Sequence, residues 1–154
     1  MKPTTLSRHL AVTPDIAMRT IIDLHRLPEW NQAITRVLDV PRELTPGCEW
    51  VVEVTAFGRS WPSRSRLETL DLDTRRFSYR SGTDDGNPSY AEWTWTVTEQ
   101  PGGCEVGVTW DVEPKTFWRR VLLSRVRQLQ LSRTEVPASL TALAAAVTQV
   151  AASE

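Results

Sequence analysis

Apolar and polar residues alternate along most of the first 113 positions, and this period-two pattern predicts a protein built mainly of β-strands. Glu49–Phe57 is the clearest case, since Trp50 and Val52 fall on one face of the strand and charged or polar residues on the other. Gly, Pro, Asn and Asp clusters separate the strands, and Pro101-Gly102-Gly103 indicates a hairpin. The predicted strands are Thr5–Val12, Ala33–Val40, Glu49–Phe57, Ser60–Leu72, Arg75–Ser81, Tyr90–Glu99 and Glu105–Val112.

A short helical run interrupts this pattern after the first strand. Pro14 suits the first position of a helix, and Thr13 is a suitable N-cap before it. The run extends to Leu24, and Pro28 is expected to force the chain out of it, because proline has no N–H and restricts the preceding residue.

The last forty residues have a helical period instead. Apolar residues recur at spacings of three and four, which predicts an amphipathic helix of more than about thirty residues. Pro137 lies within it and is expected to kink it. The predicted inward stripe comprises positions 118, 122, 125, 129, 132, 136, 140, 143, 147 and 150.

Several segments resemble a known family. Asp23–Trp30 followed by Asn31, the preceding Ala11–Asp15, and Leu44–Gly47 at the start of a strand are similar to the START-like superfamily (Bet v 1-like, SRPBCC), in its polyketide cyclase/dehydrase-like bacterial branch. The resemblance continues through the Trp-rich strands and the long helix. It implies an α+β helix-grip fold: a curved antiparallel sheet of six to seven strands wrapped around a long C-terminal helix, with one or two short helices after the first strand. We expect a single domain over residues 1–154, enclosing a cavity.

The strand period predicts which side chains face that cavity. The inward parity is aromatic and apolar with a few hydroxyls, as in pockets for hydrophobic ligands, although the same rings could simply fill the core. Leu67 and Thr69 share this parity. The predicted ligand-binding residues are Trp50, Val52, Trp61, Ser63, Ser65, Phe77, Tyr79, Trp93, Trp95, Trp110, Trp118, Leu122, Arg125 and Leu129.

Two of these residues are candidates for chemistry. Arg125 lies on the apolar stripe of the helix, where it either clamps an anionic ligand group or extends to water. Tyr79 is the second candidate catalytic residue, as a group that polarises carbonyls. A strand of the aromatic polyketide cyclases is similar to Trp61–Arg66, but here Arg64 and Arg66 are expected to point outward, which weakens an enzymatic interpretation.

Composition excludes several classes of function. The net charge of −1 favours neither nucleic acid nor a membrane surface, and no cofactor motif, metal-ligand spacing or catalytic triad is recognisable. No apolar stretch reaches the length of a membrane span. Cys48 and Cys104 are expected to be reduced thiols of a cytoplasmic protein rather than a disulfide, and no secretory leader is recognised.

The start of the last helix is basic, with six basic residues and one acidic residue between positions 115 and 136. Arg119, Arg120 and Arg127 would suit an acidic partner such as an acyl carrier protein, if the chain acts in polyketide assembly. The alternative is the solvated face of an amphipathic helix. The sequence is compatible with a monomer or a homodimer.

Two functions follow, and they share one site. The first is binding of a hydrophobic or aromatic small molecule, such as a polyketide, lipid or isoprenoid, in an internal cavity. The second is a polyketide cyclase/dehydratase-like enzyme that folds a poly-β-ketone chain there. A protein-interaction role, as in quinone-chaperone or toxin-like branches of the superfamily, has only the basic helix in its favour.

Overall fold

Seven strands, β1 to β7 in chain order, form one antiparallel sheet in a computed structural model that describes residues 3–84, 88–113, 127 and 129–153. The strands are β1 Thr4–Leu10, β2 Ile34–Asp39, β3 Glu49–Ala56, β4 Arg59–Asp71, β5 Arg76–Thr83, β6 Tyr90–Gln100 and β7 Gly103–Glu113. Their order across the sheet is β1-β7-β6-β5-β4-β3-β2. The first two strands therefore lie at opposite edges, and the chain between them must cross the whole sheet.

Two short helices make this crossing. Helix α1 spans Pro14–Ile22, and the Thr13 hydroxyl accepts a hydrogen bond from the Ile16 N–H at 3.4 Å, as the N-cap prediction requires. A 3-10 turn, Leu24–Arg26, leads into helix α2, Leu27–Trp30. The role predicted for Pro28 was wrong. It lies in the first turn of α2, where the missing N–H has no helical partner to lose.

Strand β4 contains an irregularity that reverses the inward parity. The pairing register with β5 shifts between Leu67 and Thr69, as in a β-bulge. Leu67 is buried, but Thr69 is exposed and Leu70 packs against the core in its place. The prediction that Thr69 faces inward was wrong because one extra residue moves every later side chain of the strand to the other face.

The last helix also departs from a uniform period. A π-helical turn, Leu131–Glu135, in which the Val136 N–H bonds to the Leu131 carbonyl, precedes helix α3, Val136–Ala152. Pro137 accounts for the wide turn, since it cannot donate to the carbonyl four residues earlier and its ring needs more room there.

The π-helical turn displaces the predicted stripe by one position. Leu129 is 49% exposed and Ser132 is not buried, whereas Leu131 and Glu135 are buried. The Ser132 hydroxyl donates to the Leu129 carbonyl at 3.3 Å. Past the turn, the predicted positions Val136, Leu140, Leu143 and Val147 are all buried.

Helix α3 bonds to strand β1 at one edge of the sheet and to the segment that precedes β2 at the other edge. Arg8 of β1 donates to the Thr141 hydroxyl at 3.0 Å, and the Gln32 N–H after α2 donates to Ser139 Oγ at 3.0 Å. By length and composition alone, Leu131–Ala152 would also qualify as a membrane span, which the sequence did not predict. Leu143 is fully buried against the domain, as expected for a core helix.

Candidate functional site

The concave face of the sheet, which faces α1, α2 and α3, brings the predicted inward residues together. Strand pairing sets Trp93 of β6 between Tyr79 of β5 and Trp110 of β7. It likewise sets Trp95 between Phe77 and Val108. Residues separated by long stretches of sequence therefore form one aromatic band across the middle strands.

Rings in this band are in direct contact. Trp50, Phe77 and Tyr79 form a cluster with centroid distances of 5.1 to 6.0 Å. Trp93 stacks on Trp110 at 5.8 Å. Such contacts add about 0.5–1.5 kcal/mol per pair beyond the burial of area, and they hold the rings in defined orientations.

Trp30 belongs to the same band, although it was not among the predicted ligand-binding residues. It reaches the concave face from α2 and meets Trp95 edge-on at 5.3 Å. The sequence did not predict that Trp30 faces inward, because α2 is only four residues long and too short to show a helical period.

Burial divides the band into two parts. Trp50, Trp95 and Trp110 are almost completely buried and fill the core between the sheet and the helices. Trp61 and Trp93 are only half-buried, although both lie on the concave face. These two rings belong to the ends of the strands farther from α1, and they offer apolar surface that the described part of the chain does not cover.

Three hydroxyl groups accompany these half-buried rings. Ser63 and Ser65 are buried on β4, and neither side chain makes a hydrogen bond within the described residues. Tyr79 Oη accepts a hydrogen bond from Trp95 Nε1 at 3.3 Å. Burial raises the pKa of Tyr79 to about 12. Like an ordinary tyrosine, it is protonated at neutral pH, and its hydroxyl can donate a hydrogen bond.

The helix contributes an ion pair that the sequence analysis missed. Arg127 bonds to Oε2 of Glu135 across the π-helical turn, and both side chains are largely buried. Arg127 was named in the sequence analysis as part of a basic surface that would suit an acidic partner; in the structure its side chain is 24% exposed and pairs with Glu135. Glu135 was not singled out, because a uniform helical period does not place it on the inward stripe.

The predicted ligand-binding residues fall into two groups. The structure places ten of them on the concave face, and the other four belong to the last helix. Those on the concave face are Trp50, Val52, Trp61, Ser63, Ser65, Phe77, Tyr79, Trp93, Trp95 and Trp110. Leu129 is exposed, and Trp118, Leu122, Arg125, Arg119 and Arg120 lie outside the described residues.

The convex face carries charged rather than apolar chemistry. Arg64 and Arg66 are exposed there, which confirms that they point away from the concave face. Together with Arg80 they line a groove of about 310 Å³. Asp84 binds Arg64 through both carboxylate oxygens, at 2.9 and 3.2 Å, and Glu68 pairs with Arg80 at 3.3 Å. Acidic side chains thus balance the charge of this groove.

No group of three or more His, Cys, Asp or Glu side chains that could hold a metal ion occurs among residues 3–84, 88–113, 127 and 129–153. Cys48 and Cys104 are free thiols. Burial raises the pKa of the Cys104 thiol, which makes it a poor nucleophile.

Comparison with known proteins identifies this arrangement. The profile of a family described as polyketide cyclase/dehydrase and lipid transport matches residues 1–148. Among functionally curated proteins, none matches the sequence significantly.

Solved structures share the fold over nearly the whole chain. TTHA0849 from Thermus thermophilus is 21% identical with a TM-score of 0.74, and the match covers 99% of this chain and 100% of that one. CV1439 from Chromobacterium violaceum is 22% identical with a TM-score of 0.72, over 94% and 96% of the two chains. The di-domain ARO/CYC StfQ from the steffimycin biosynthetic pathway is 16% identical with a TM-score of 0.74, over 97% of this chain and 51% of that one.

Proposed function

Because the chain belongs to the polyketide cyclase/dehydrase and lipid transport family, we propose that it binds a hydrophobic or aromatic small molecule, such as a polyketide, lipid or isoprenoid, against the concave face of its sheet. The observation that carries this proposal is that the concave face presents two half-buried indole rings, Trp61 and Trp93, together with the hydroxyls of Ser63 and Ser65 on the same face as Trp61.

The physical reason is that one amphipathic ligand can both bury the exposed apolar surface and form hydrogen bonds with the unpaired hydroxyls. Covering the exposed part of a half-buried indole removes apolar area from water, which contributes about 25 cal/mol per Å². The serine hydroxyls gain hydrogen bonds from polar groups of the same molecule. The fully buried rings beneath keep this surface rigid, so binding a ligand costs little conformational entropy of the protein.

Two measurements test the proposal. Native mass spectrometry of protein purified from its own host, followed by extraction, identifies any bound compound. Calorimetric titration with 2-naphthol then compares the protein with Trp93→Ala, for which we expect an affinity loss of about tenfold or more. Phe57→Ala is the matched control, since Phe57 is 56% exposed and lies at the β3–β4 turn. Equal affinity of the Trp93 variant and the unchanged protein would contradict the proposed site.

A cyclase/dehydratase-like reaction is a second candidate, favoured by Tyr79. The protonated Tyr79 hydroxyl accepts from Trp95 and has no acceptor of its own among the described residues, so it suits a ketone oxygen of a poly-β-ketone chain. Arg125 remains in this proposal as the second polarising group. With a poly-β-ketone thioester as substrate, Tyr79→Phe should lower the rate of cyclised product formation far more than the affinity. Unchanged turnover in both Tyr79→Phe and Arg125→Ala would exclude this mechanism.

A further inference from the structure

Glu135 is a charged side chain on the buried face of the last helix. Glu135 is 7% exposed, and among the described residues it is the only buried acidic or basic one. It lies four residues before Ser139 and eight before Leu143, on the side of the helix that meets the domain. Since Ser139 binds the backbone after α2 and Leu143 is fully buried, Glu135 faces the interior one turn beyond them.

Among the described residues, only one oxygen of this carboxylate has a partner. Arg127 bonds to Oε2, whereas Oε1 is buried and accepts no hydrogen bond within the described part of the chain. A buried carboxylate oxygen without a donor is unfavourable, because folding has removed the water that would otherwise bind it. A donor from a bound molecule would relieve this cost.

The charge balance limits the chemistry of that donor. Arg127 already compensates the charge of Glu135, so a second cation would gain less here than at an isolated carboxylate. A neutral O–H group supplies the missing hydrogen bond without adding charge to an apolar interior. Donation to an ionised acceptor also gives a stronger hydrogen bond than donation to a neutral one.

We propose that Glu135, held in place by Arg127, accepts a hydrogen bond from a hydroxyl group of the ligand, and that the protein thereby selects hydrophobic alcohols or phenols over the corresponding ethers. This inference rests on the proposed ligand-binding function and names a chemical feature of the ligand. Glu135 acts as a specificity residue that touches the ligand through Oε1.

A matched pair of probes tests this selectivity. 2-Naphthol and 2-methoxynaphthalene share one apolar ring system, but only the naphthol donates a hydrogen bond. We expect calorimetric titration to show that the protein prefers the naphthol by about tenfold. The double variant Arg127→Met/Glu135→Met removes both charges together, and in it the preference should fall to nearly one.

An exposed ion pair is the control. Arg26→Met/Glu29→Met removes two partly exposed partners, 3.2 Å apart, that lie outside the interior, and it should keep the tenfold preference. If the unchanged protein binds both probes equally well, or if the Arg127/Glu135 variant retains the preference, the role of Glu135 is overturned while hydrophobic binding stands. If the protein binds neither probe, the proposed function fails and this inference fails with it. If the double variant does not fold, Glu135→Gln is the second variant, because it keeps the shape of the side chain but removes the carboxylate charge. The naphthol preference should fall in it, and an unchanged preference would overturn the role of Glu135.

Discussion

Tyr79 shows how one residue joins packing and chemistry in this protein. Its ring contacts Trp50 and Phe77 at centroid distances of 5.2 and 5.1 Å, and its hydroxyl accepts from Trp95. These contacts keep the phenol away from water, which disfavours its ionised form. The same burial that stabilises the fold therefore places a phenol hydroxyl on the concave face and shifts its ionisation to higher pH.

The raised pKa of Tyr79 predicts a loss of stability at high pH. An unfolded tyrosine ionises near its ordinary value of 10, whereas Tyr79 in the folded protein holds its proton to about 12. Between these values only the unfolded state gains from ionisation, so the free energy of unfolding falls as the pH rises from 10 to 12. The slope for this one group is roughly 1.4 kcal/mol per pH unit.

Urea denaturation across this pH range measures the effect. Tyr79→Phe should abolish this contribution to the slope, while at neutral pH it costs about 1 kcal/mol for the lost hydrogen bond. Tyr90→Phe is the control at the start of β6. A slope that is identical in the Tyr79 variant and the unchanged protein would show that the phenol is not desolvated.

At the scale of elements, two irregularities decide which side chains face the interior. The shift in β4 replaces Thr69 with Leu70, and the π-helical turn places Leu131 inward where the stripe predicted Ser132. Each adds one residue to a repeating pattern, so the side chains on its two sides no longer follow a single period. The other strands, and the helix after the π-helical turn, keep the period that their sequences predict.

Alanine substitutions at the β4 irregularity distinguish the two possible parities. Leu70→Ala should lower the free energy of unfolding by about 1 to 2 kcal/mol, since the side chain is half-buried against the core. Thr69→Ala should change it by less than about 0.5 kcal/mol. Thermal unfolding of both variants checks this order, and a larger loss for Thr69→Ala would mean that the strand keeps a uniform parity.

Across the π-helical turn, Arg127 and Glu135 should behave as a coupled pair. Arg127→Met leaves a buried carboxylate without its cation and should cost about 3 kcal/mol, with a similar cost for Glu135→Met. The double variant should cost much less than the sum, because no charge remains uncompensated. Urea denaturation of the four proteins gives the coupling energy. Additive losses would show that the two side chains do not interact.

At the scale of the whole molecule, one helix holds together a sheet whose first two strands lie at opposite edges. Helix α3 bonds to β1 through Arg8 and to the segment after α2 through Gln32, while its apolar face shares one core with the strands between them. No strand can separate without exposing part of this shared core. We therefore expect the chain to unfold as one unit, as a single domain should.

Leu143→Ala tests this cooperativity. The side chain is fully buried, and its truncation should cost about 2–5 kcal/mol and lower the melting temperature in a single transition. Far- and near-ultraviolet circular dichroism should report the same midpoint. Leu72→Ala, at a position 61% exposed, is the control and should have little effect. Two separate transitions would indicate that the helix and the sheet unfold independently.

The local pattern of the sequence was sufficient for most elements and for the sheet side of the site. Alternation together with turn residues predicted the seven strands and placed Trp50, Trp93 and Trp110 on one face, because side-chain direction in a regular strand depends on parity. Thr13 and Pro14 marked the start of α1 for equally local reasons. The family resemblance supplied the arrangement of these elements, which the whole-chain family match and the shared fold confirm.

What depends on contacts between distant residues was decided only by the tertiary structure. The shift near Leu67 depends on how β4 pairs with β5, which does not change the apolar pattern enough to be read from it. Pro137 indicated a local irregularity of the last helix, but not that Leu131 and Glu135 would turn inward before it. The inward position of Glu135, the use of Arg127 as its partner and the contact of Trp30 with Trp95 follow from those placements. Within a regular element the sequence determines which residues share a face, whereas packing determines where the regular pattern is interrupted and what that face contacts.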